Sequence, residues 1–225
     1  MAQPVVSATQ VVTETECVNE PQPEAPEVHV KPNAGLENVD WTGLQGLVSQ
    51  CQACELYQTR TQTVFGMGHP QADLMLIGEA PGADEDKQGE PFVGRAGKLL
   101  DEMLYAIGLD REKVFIANIL KCRPPQNRDP RPEEVASCAG FLKRQIELVA
   151  PKLIVALGRI AAQNLLQTDT ALGKLRGSMH ELDGLNVPVL VTYHPAYLLR
   201  SPAEKRKSWQ DLQRVRDCLQ GVAEV

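Results

Sequence analysis

The chain has 225 residues, enough for one full domain and an appendage, and its formal net charge is −6. It contains no apolar run approaching the roughly 18 residues that span a bilayer, and it lacks the basic start and apolar run of a secretory signal. We therefore expect a cytoplasmic protein with no membrane partner, whose cysteines are thiols or metal ligands rather than disulfides.

The negative charge is confined to one end of the chain. Residues 1–40 hold seven acidic residues and one basic residue, whereas residues 41–225 hold 22 of each sign, so net charge does not argue against a nucleic-acid partner. The first segment also contains five prolines and no aromatic residue. Because it cannot bury enough apolar surface to offset its ordering entropy, we predict a disordered acidic tail over 1–40 and a folded domain over 41–225.

Apolar runs alternate with helical spacing along the predicted domain. Four short runs predict buried parallel strands, at 73–78, 114–119, 152–158 and 187–194. Helical spacing follows in 95–107, 132–149, 159–167 and 203–219. This alternation predicts an α/β fold, a three-layer α/β/α sandwich with a central four-stranded parallel sheet.

Polar residues stand where the predicted strands end. Gly78 and Glu79 follow the first strand, Asn118 the second, Gly158 the third and His194 the fourth. The carboxyl ends of parallel strands share one edge of the sheet, and open parallel sheets bind ligands at that edge. We therefore expect these residues to line one site.

Four of the six cysteines form two spaced pairs, Cys51 with Cys54 and Cys122 with Cys138. Four thiolates suit a tetrahedral zinc ion or an iron–sulfur cluster, and a C-x2-C pair alone could also be a redox pair; spacing does not separate these possibilities. Cys17 and Cys218 have no neighbouring cysteine and are interpreted as ordinary thiols.

Three further segments carry specific motifs. They are GEAPG at 78–82 with GEPFVGRAG at 89–97, NILKCRPP at 118–125, and HPAYLLR at 194–200. Together with the cysteine spacing, they resemble the family 4 uracil-DNA glycosylases, the iron–sulfur type, over about residues 41–218. The resemblance implies a hydrolase that flips uracil out of single- or double-stranded DNA and cleaves its N-glycosidic bond, leaving an abasic site for base excision repair.

The resemblance also implies the cofactor and the uracil pocket. A [4Fe–4S] cluster would be held by Cys51, Cys54, Cys122 and Cys138. The pocket would be formed by Gly78, Glu79, Ala80, Phe92, Asn118 and His194. Within it, Asn118 would read the uracil edge, Phe92 would stack on the base, and His194 would stabilise the negative charge that develops at uracil O2.

The sequence departs from better-known relatives at two positions. A Gln-Asp pair stands in those relatives where Glu79 and Ala80 stand here, and Ala80 cannot position water, so Glu79 is a second catalytic candidate. The relatives also place a tyrosine at the position of Gly82 to exclude the thymine methyl group. Gly82 cannot do this, and Glu85 is the candidate for thymine exclusion.

Contacts with DNA are expected beside this pocket. Leu198 and Leu199 would wedge into the stack that the flipped base leaves, and Arg200 would contact a phosphate. A basic cluster near the cysteines would add phosphate contacts, with Arg123 and Arg128 as its main members and Lys121 and Arg131 beside them. We expect the protein to act as a monomer.

One rival interpretation remains, and the sequence argues against a second. The first is a non-catalytic or specialised iron–sulfur DNA-binding relative of the same superfamily. The second, a relative that becomes cross-linked to DNA, uses a histidine that follows the second-strand Asn, and residues 119–132 contain no histidine. A phosphate-binding loop is excluded because Arg95-Ala96 follows the G-x4-G spacing at 89–94, so no nucleotide cofactor is expected.

Overall fold

The computed structural model of the protein describes Met1 and residues 35–221, so most of the predicted acidic tail lies outside the described residues. The fold is built on one six-stranded sheet in the order β1-β3-β2-β4-β6-β5. Its strands are β1 Met67–Gly68, β2 Leu74–Gly78, β3 Val114–Asn118, β4 Leu153–Leu157, β5 His180–Leu182 and β6 Val187–Thr192.

The four inner strands are parallel, and this confirms the predicted four-stranded core. The two outer strands, β1 and β5, pair antiparallel at opposite edges and were not predicted. Their signals are weak: β1 has two residues and ends on a glycine, and β5 has three residues that include His180 and Glu181. Neither length allows a hydrophobic period to be recognised.

Helices cover both faces of the sheet. They are α1 Trp41–Ser49, α2 Ala83–Gln88, α3 Arg95–Tyr105, α4 Pro132–Val149, α5 Arg159–Leu165, α6 Leu172–Leu175, α7 Pro195–Arg200 and α8 Lys205–Leu219. The predicted helical segments correspond to α3, α4, α5 and α8. Of the helices that the structure describes, none has the length and apolar character needed to cross a membrane.

Successive side chains of the inner strands pack into two separate cores, which gives the sandwich its three layers. On β2, Met75 and Ile77 face one core, to which α4, α5 and α6 contribute. Leu74 and Leu76 face the other, to which α3, α7 and α8 contribute. Burial on both faces explains why these strands read as continuous apolar runs.

The inner strands end together at the carboxyl edge. Gly78 pairs in register with Asn118 at the ends of β2 and β3. Leu157 pairs with Thr192 at the ends of β4 and β6. The residues that follow these four strands therefore surround one opening in the molecule.

Candidate active site

A cleft of about 440 Å³ lies at this carboxyl edge. It is lined by Glu79, Ala80, Pro81, Gly82, Glu85, Phe92, Ala96, Asn118, Pro124, Asn127, Arg128, Asp129, His194, Ala196, Tyr197 and Arg200. Three of the predicted strand-end residues, Glu79, Asn118 and His194, line this cleft, together with Gly82, Glu85 and Phe92 of the Gly-rich segment at 78–97. Gly78 and Gly158 are not among its lining residues.

Asn118 contributes an unpaired acceptor to the cleft. Its side chain is 2% exposed, and among the described residues its Oδ1 has no hydrogen-bond partner. Leaving a buried acceptor unsatisfied costs about 1–3 kcal/mol, so this atom calls for a donor from a ligand. Gly78 makes the packing possible, because a Cβ there would lie 2.4 Å from Oδ1 and 2.7 Å from the Phe92 ring.

Phe92 stacks against His194 in the cleft, with ring centroids 5.4 Å apart and an interplanar angle of 29°. Its backbone is in the left-handed region, at φ 56°, which is uncommon for a bulky residue. Arg111 donates to the carbonyl oxygen of Pro91 at 3.0 Å and also to that of Phe92. At Gly97 a Cβ would lie 1.6 Å from the Phe92 carbonyl oxygen, so only glycine fits there.

Glu85 holds the same loop from the other side. Its carboxylate accepts from the backbone N–H groups of Gly82 at 3.1 Å, Val93 at 3.0 Å and Gly94 at 3.2 Å. A Cβ at Gly82 would lie 2.6 Å from Glu85 Oε2, so the carboxylate occupies the space beside this glycine. The structure therefore shows Glu85 as a clamp on the Phe92 loop and places it beside Gly82.

His194 faces the cleft at the start of α7. Burial, with a smaller effect of the Arg200 charge, lowers its pKa to about 4, so the ring is neutral at pH 7. Its Nδ1 accepts from the backbone N–H of Ala196 at 3.1 Å, and the neutral ring therefore carries its hydrogen on Nε2. The site thus holds a neutral imidazole whose second nitrogen is a donor.

Glu79 has an unusual protonation equilibrium. Burial, with a smaller contribution from the charge of Asp129, raises its pKa to about 7, and the charge of Arg159 opposes the rise. Arg159 also forms an ion pair with Asp129 at 2.8 Å, at the rim of the cleft. A carboxyl group that titrates near neutral pH can act as a base there, which fits the catalytic candidacy of this residue.

Two of the predicted DNA contacts are wrong as stated. Leu198 is 1% exposed and belongs to the core beneath α7, because HPAYLLR is helical and turns this side chain toward the sheet. Lys121 is 1% exposed and donates to Asn118 O at 2.9 Å and to Gln145 Oε1 at 2.5 Å. Leu198 is a core residue, and Lys121 forms buried hydrogen bonds within the protein. Neither side chain is available to contact DNA.

The other predicted contacts lie at the surface. Leu199 and Arg200 are exposed on α7, and Arg200 lines the cleft. Arg128 donates to both carboxylate oxygens of Glu134, at 2.9 Å and 2.5 Å, and the Arg123 Nε donates to Asn127 Oδ1 at 2.7 Å. These bonds fix both arginines on the loop between Cys122 and Cys138, while their contacts with phosphate stay a prediction.

The four spaced cysteines converge behind this loop. Cys122 and Cys138 are buried, and Cys51 and Cys54 are partly buried. Leu56 and Leu120 pack with Cys54, Cys122 and Cys138, whereas Cys51 packs against Leu44, Val48 and Phe141 beside them. Burial, with smaller contributions from the charges of Cys122 and Cys54, raises the pKa of the Cys138 thiol to about 12, while a backbone hydrogen bond with Lys121 and its charge oppose the rise. Burial also raises the pKa of Cys122; the hydrogen bond and charge of Arg60 oppose this rise, and the charges of Cys54 and Cys51 add to it, so Cys122 interacts electrostatically with both of these cysteines.

The arrangement of these sulfurs bears on the kind of metal site. In the part of the chain that the structure describes, no three His, Cys, Asp or Glu side chains are grouped to hold a single metal ion. The placement of the sulfurs alone therefore does not distinguish a zinc ion from an iron–sulfur cluster. Arg60 Nη1 donates to Cys122 Sγ at 3.0 Å, which would stabilise a thiolate.

Comparison with known proteins agrees with this geometry. Residues 65–213 match the uracil DNA glycosylase superfamily, and the chain belongs to that superfamily. Within it the chain is a member of the type-4 family: it is 47% identical over 174 residues to the type-4 uracil-DNA glycosylase of Archaeoglobus fulgidus, an alignment covering 75% of this chain and 87% of that protein.

Two further relatives show the range of the similarity. The type-4 uracil-DNA glycosylase of Thermotoga maritima is 43% identical over 172 residues, covering 75% of this chain and 89% of that protein. The type-5 uracil-DNA glycosylase of Pyrobaculum aerophilum is 31% identical over 146 residues, covering 58% of this chain and 64% of that protein.

Proposed function

We propose that this protein excises uracil from DNA by hydrolysing the N-glycosidic bond, leaving an abasic site for base excision repair. The observation that carries the proposal is the buried, unpaired Oδ1 of Asn118. Uracil offers the N3–H donor that this acceptor lacks, and its O4 can accept from the amide nitrogen of the same side chain. Family membership supports the same activity.

The same amide would reject cytosine. Cytosine presents an acceptor at N3 and a donor at N4, so both polar groups of Asn118 would face the wrong partner in a buried site. Sites built to hydrogen-bond a substrate discriminate strongly, because a mismatched ligand leaves buried polar groups unpaired. Phe92 would stack on the base that Asn118 reads, and the Gly78 and Ala80 backbone would complete the pocket.

His194 would drive departure of the base. Cleavage leaves negative charge on the uracil, much of it at O2, and the Nε2 hydrogen of a neutral imidazole can bond to that oxygen. Such a bond strengthens as the charge develops, so it favours the transition state over the bound substrate. A protonated imidazole is not needed, and a pKa of about 4 means that little of it exists at pH 7.

Glu79 would assist in the second half of the reaction. As a carboxylate it could orient the attacking water or stabilise the sugar cation, and a pKa of about 7 makes this form dependent on pH. We therefore expect the single-turnover rate to rise with pH through about 7 and then to level off, because the carboxylate form accumulates above its pKa. His194 stays neutral over this range and adds no inflection.

Two variants test the assignment of that inflection. Glu79→Gln should lower the rate and remove the inflection from a profile measured between about pH 5.5 and 9. Asp129→Asn should move the inflection to lower pH, because it removes the neighbouring negative charge that raises the pKa of Glu79. An unchanged inflection in Glu79→Gln would assign it to another group.

Arg111 is proposed as a positioning residue for Phe92. Since it donates to the Pro91 and Phe92 carbonyl oxygens, Arg111→Met should release the loop and lower kcat/KM by about tenfold, mainly through KM. In a Phe92→Ala background the same change should have little further effect. Asp101→Asn, which removes only the partly exposed ion-pair partner of Arg111, is the control; equal losses in both backgrounds would show a general structural role.

We propose that Cys51, Cys54, Cys122 and Cys138 hold a [4Fe–4S] cluster. Three of the sulfurs share an apolar shell with Leu56 and Leu120, and Cys51 acts electrostatically on Cys54 and Cys122. Membership of the type-4 family favours a cluster over zinc. When bound, the cluster would supply iron–thiolate bonds that connect the segment after α1 to the loop after β3 and to α4. Cys122 lies four residues beyond Asn118, so this tie would fix the uracil pocket and the DNA-contacting loop together.

Loss of one ligand should therefore affect folding and DNA binding together. We expect Cys122→Ala to lose the visible absorbance of an iron–sulfur protein and to lower the unfolding temperature by about 10 °C or more, since each kcal/mol shifts it by roughly 2–4 °C. Cys218→Ala, on α8 and apart from the four, is the matched control. A Cys122→Ala protein with unchanged thermal unfolding and DNA affinity would contradict the structural role.

The activity itself is tested with a single-uracil oligonucleotide. Anaerobically purified protein should generate alkali-sensitive sites only when uracil is present, in single- and double-stranded DNA, and no strand break before alkali. We further propose a monomeric, cytoplasmic enzyme that needs no nucleotide cofactor. Uracil-independent DNA binding without excision would instead support the alternative, a specialised DNA-binding relative.

A further inference from the structure

Two tyrosines are stacked at the edge of the cleft. The rings of Tyr193 and Tyr197 have centroids 5.1 Å apart and an interplanar angle of 28°. The guanidinium carbon of Arg176 lies 4.5 Å from the centroid of the Tyr193 ring. Tyr197 is 37% exposed and lines the cleft together with Arg200. The cleft therefore carries at its edge an exposed aromatic ring that is supported from behind, whereas the predicted wedge residue Leu198 is buried.

A buried polar network holds this stack in place. Arg176 donates to both carboxylate oxygens of Asp211 at 2.9 Å, and Asp211 also accepts from the Thr192 hydroxyl at 2.7 Å. Thr192 Oγ1 lies 3.0 Å from Ser208 Oγ. Because Thr192 precedes Tyr193 directly, the network fixes the end of β6 and the stack against α8. Buried networks with satisfied partners are rigid, so the orientation of the rings is set before any ligand binds.

Tyr197 is also fixed relative to the catalytic histidine. Its backbone N–H donates to the His194 carbonyl oxygen at 2.9 Å, so it lies one turn further along α7. Three residues of helix advance about 4.5 Å, since the rise is about 1.5 Å per residue, and the side chains of both residues line the cleft. A base adjacent to a uracil held by Asn118 and His194 is therefore within reach of the Tyr197 ring.

We infer that Tyr197, backed by Tyr193 and Arg176, is a stacking site for the unpaired nucleobase next to the flipped uracil. The inference rests on the proposed function and adds a second contact on the substrate. Aromatic rings stack on every base, so the site would be indifferent to sequence. It would favour single-stranded DNA, in which the neighbouring base is free to leave its own stack. Arg200, exposed on the same helix, is placed for the adjoining phosphate.

The test combines a protein variant with a substrate that lacks the neighbouring base. Single-stranded oligonucleotides carry one uracil, flanked either by normal nucleotides or by a stable abasic analogue on the 5′ or the 3′ side. For the wild-type protein, kcat/KM should be about tenfold lower on one of the two abasic substrates, either the 5′ or the 3′ one, than on the normal substrate. Tyr197→Ala should lose about tenfold on the normal substrate and nothing more on the substrate that lacks that base.

Two further variants serve as controls for Tyr197→Ala. Tyr197→Phe, which keeps the ring, should retain the dependence on the flanking base. Tyr105→Ala, on α3 and 79% exposed, removes an unrelated surface tyrosine and should retain it as well. Losses from Tyr197→Ala that are equal on all substrates, or no loss at all, would overturn the stacking site while leaving excision established. Absence of uracil excision by the wild-type protein would instead contradict the proposed function.

Discussion

Replacing His194 with alanine is expected to lower the single-turnover rate of uracil excision about 100-fold. The imidazole is neutral, and the Ala196 N–H bound to its Nδ1 leaves the hydrogen on Nε2, pointing to a role as donor to the departing base. Removing one preorganised donor to a developing anion typically costs about 10²–10³-fold in rate. The measurement is excision of uracil by excess enzyme, which excludes product release from the observed rate.

A second variant separates this chemical role from a structural one. His194 caps α7 by accepting from Ala196, and loss of a cap costs roughly 0.5–2 kcal/mol. His194→Asn keeps a capping acceptor but lacks the Nε2 donor, so it should stay folded and lose a similar factor in rate. His180→Ala, at the β5 edge, serves as the histidine control. A folded, cluster-loaded His194→Asn protein with the wild-type rate would remove His194 from the mechanism.

Replacing Asn118 with aspartate is expected to lower kcat/KM for uracil by about 10²–10³-fold. The carboxylate cannot donate to uracil O4, and its charge would repel the negative charge that the leaving base acquires. Each lost or mismatched buried hydrogen bond costs about 1–3 kcal/mol. The ratio of uracil to cytosine excision should fall by a similar factor, measured on matched oligonucleotides under single-turnover conditions. An unchanged ratio would mean that another residue reads the base.

The stability of an apolar variant tests the same residue without substrate. Since Oδ1 of Asn118 has no partner among the residues that the structure describes, Asn118→Leu loses no hydrogen bond at that atom. Replacing a buried unpaired polar atom with an apolar group is neutral or stabilising. We therefore expect an unfolding temperature equal to or above that of the wild-type protein, together with loss of excision. A large destabilisation would show that the amide holds the fold rather than the ligand.

The sheet and its site were predictable because burial and topology act together. Strands buried on both faces are apolar throughout, so the four parallel strands stand out from the chain. Parallel strands also end at a common edge, and for this reason Glu79, Asn118 and His194 could be assigned to one site before any contact was known. The roles assigned to these side chains came from the resemblance to a family, since several chemistries use the same residue types.

The features that could not be predicted depend on contacts distant in sequence. The sequence around Leu198 does not show whether this side chain faces solvent or the core. Only the packing of α7 against the sheet decides that it is buried. Lys121 looks like a surface cation until Gln145, 24 residues away, supplies its acceptor. Arg111 donates a hydrogen bond to the carbonyl oxygen of Phe92, 19 residues earlier in the chain, and no sequence pattern predicts a bond between residues this far apart.

The most direct measurement compares uracil with N3-methyluracil at one position of the same oligonucleotide. The methyl group removes the only hydrogen that Asn118 Oδ1 could accept from the base and leaves O2, O4 and the glycosidic bond in place. If Asn118 reads uracil through N3–H, the wild-type protein should excise uracil and should excise N3-methyluracil at least 100-fold more slowly. Excision of both bases at comparable rates would contradict the account of the site.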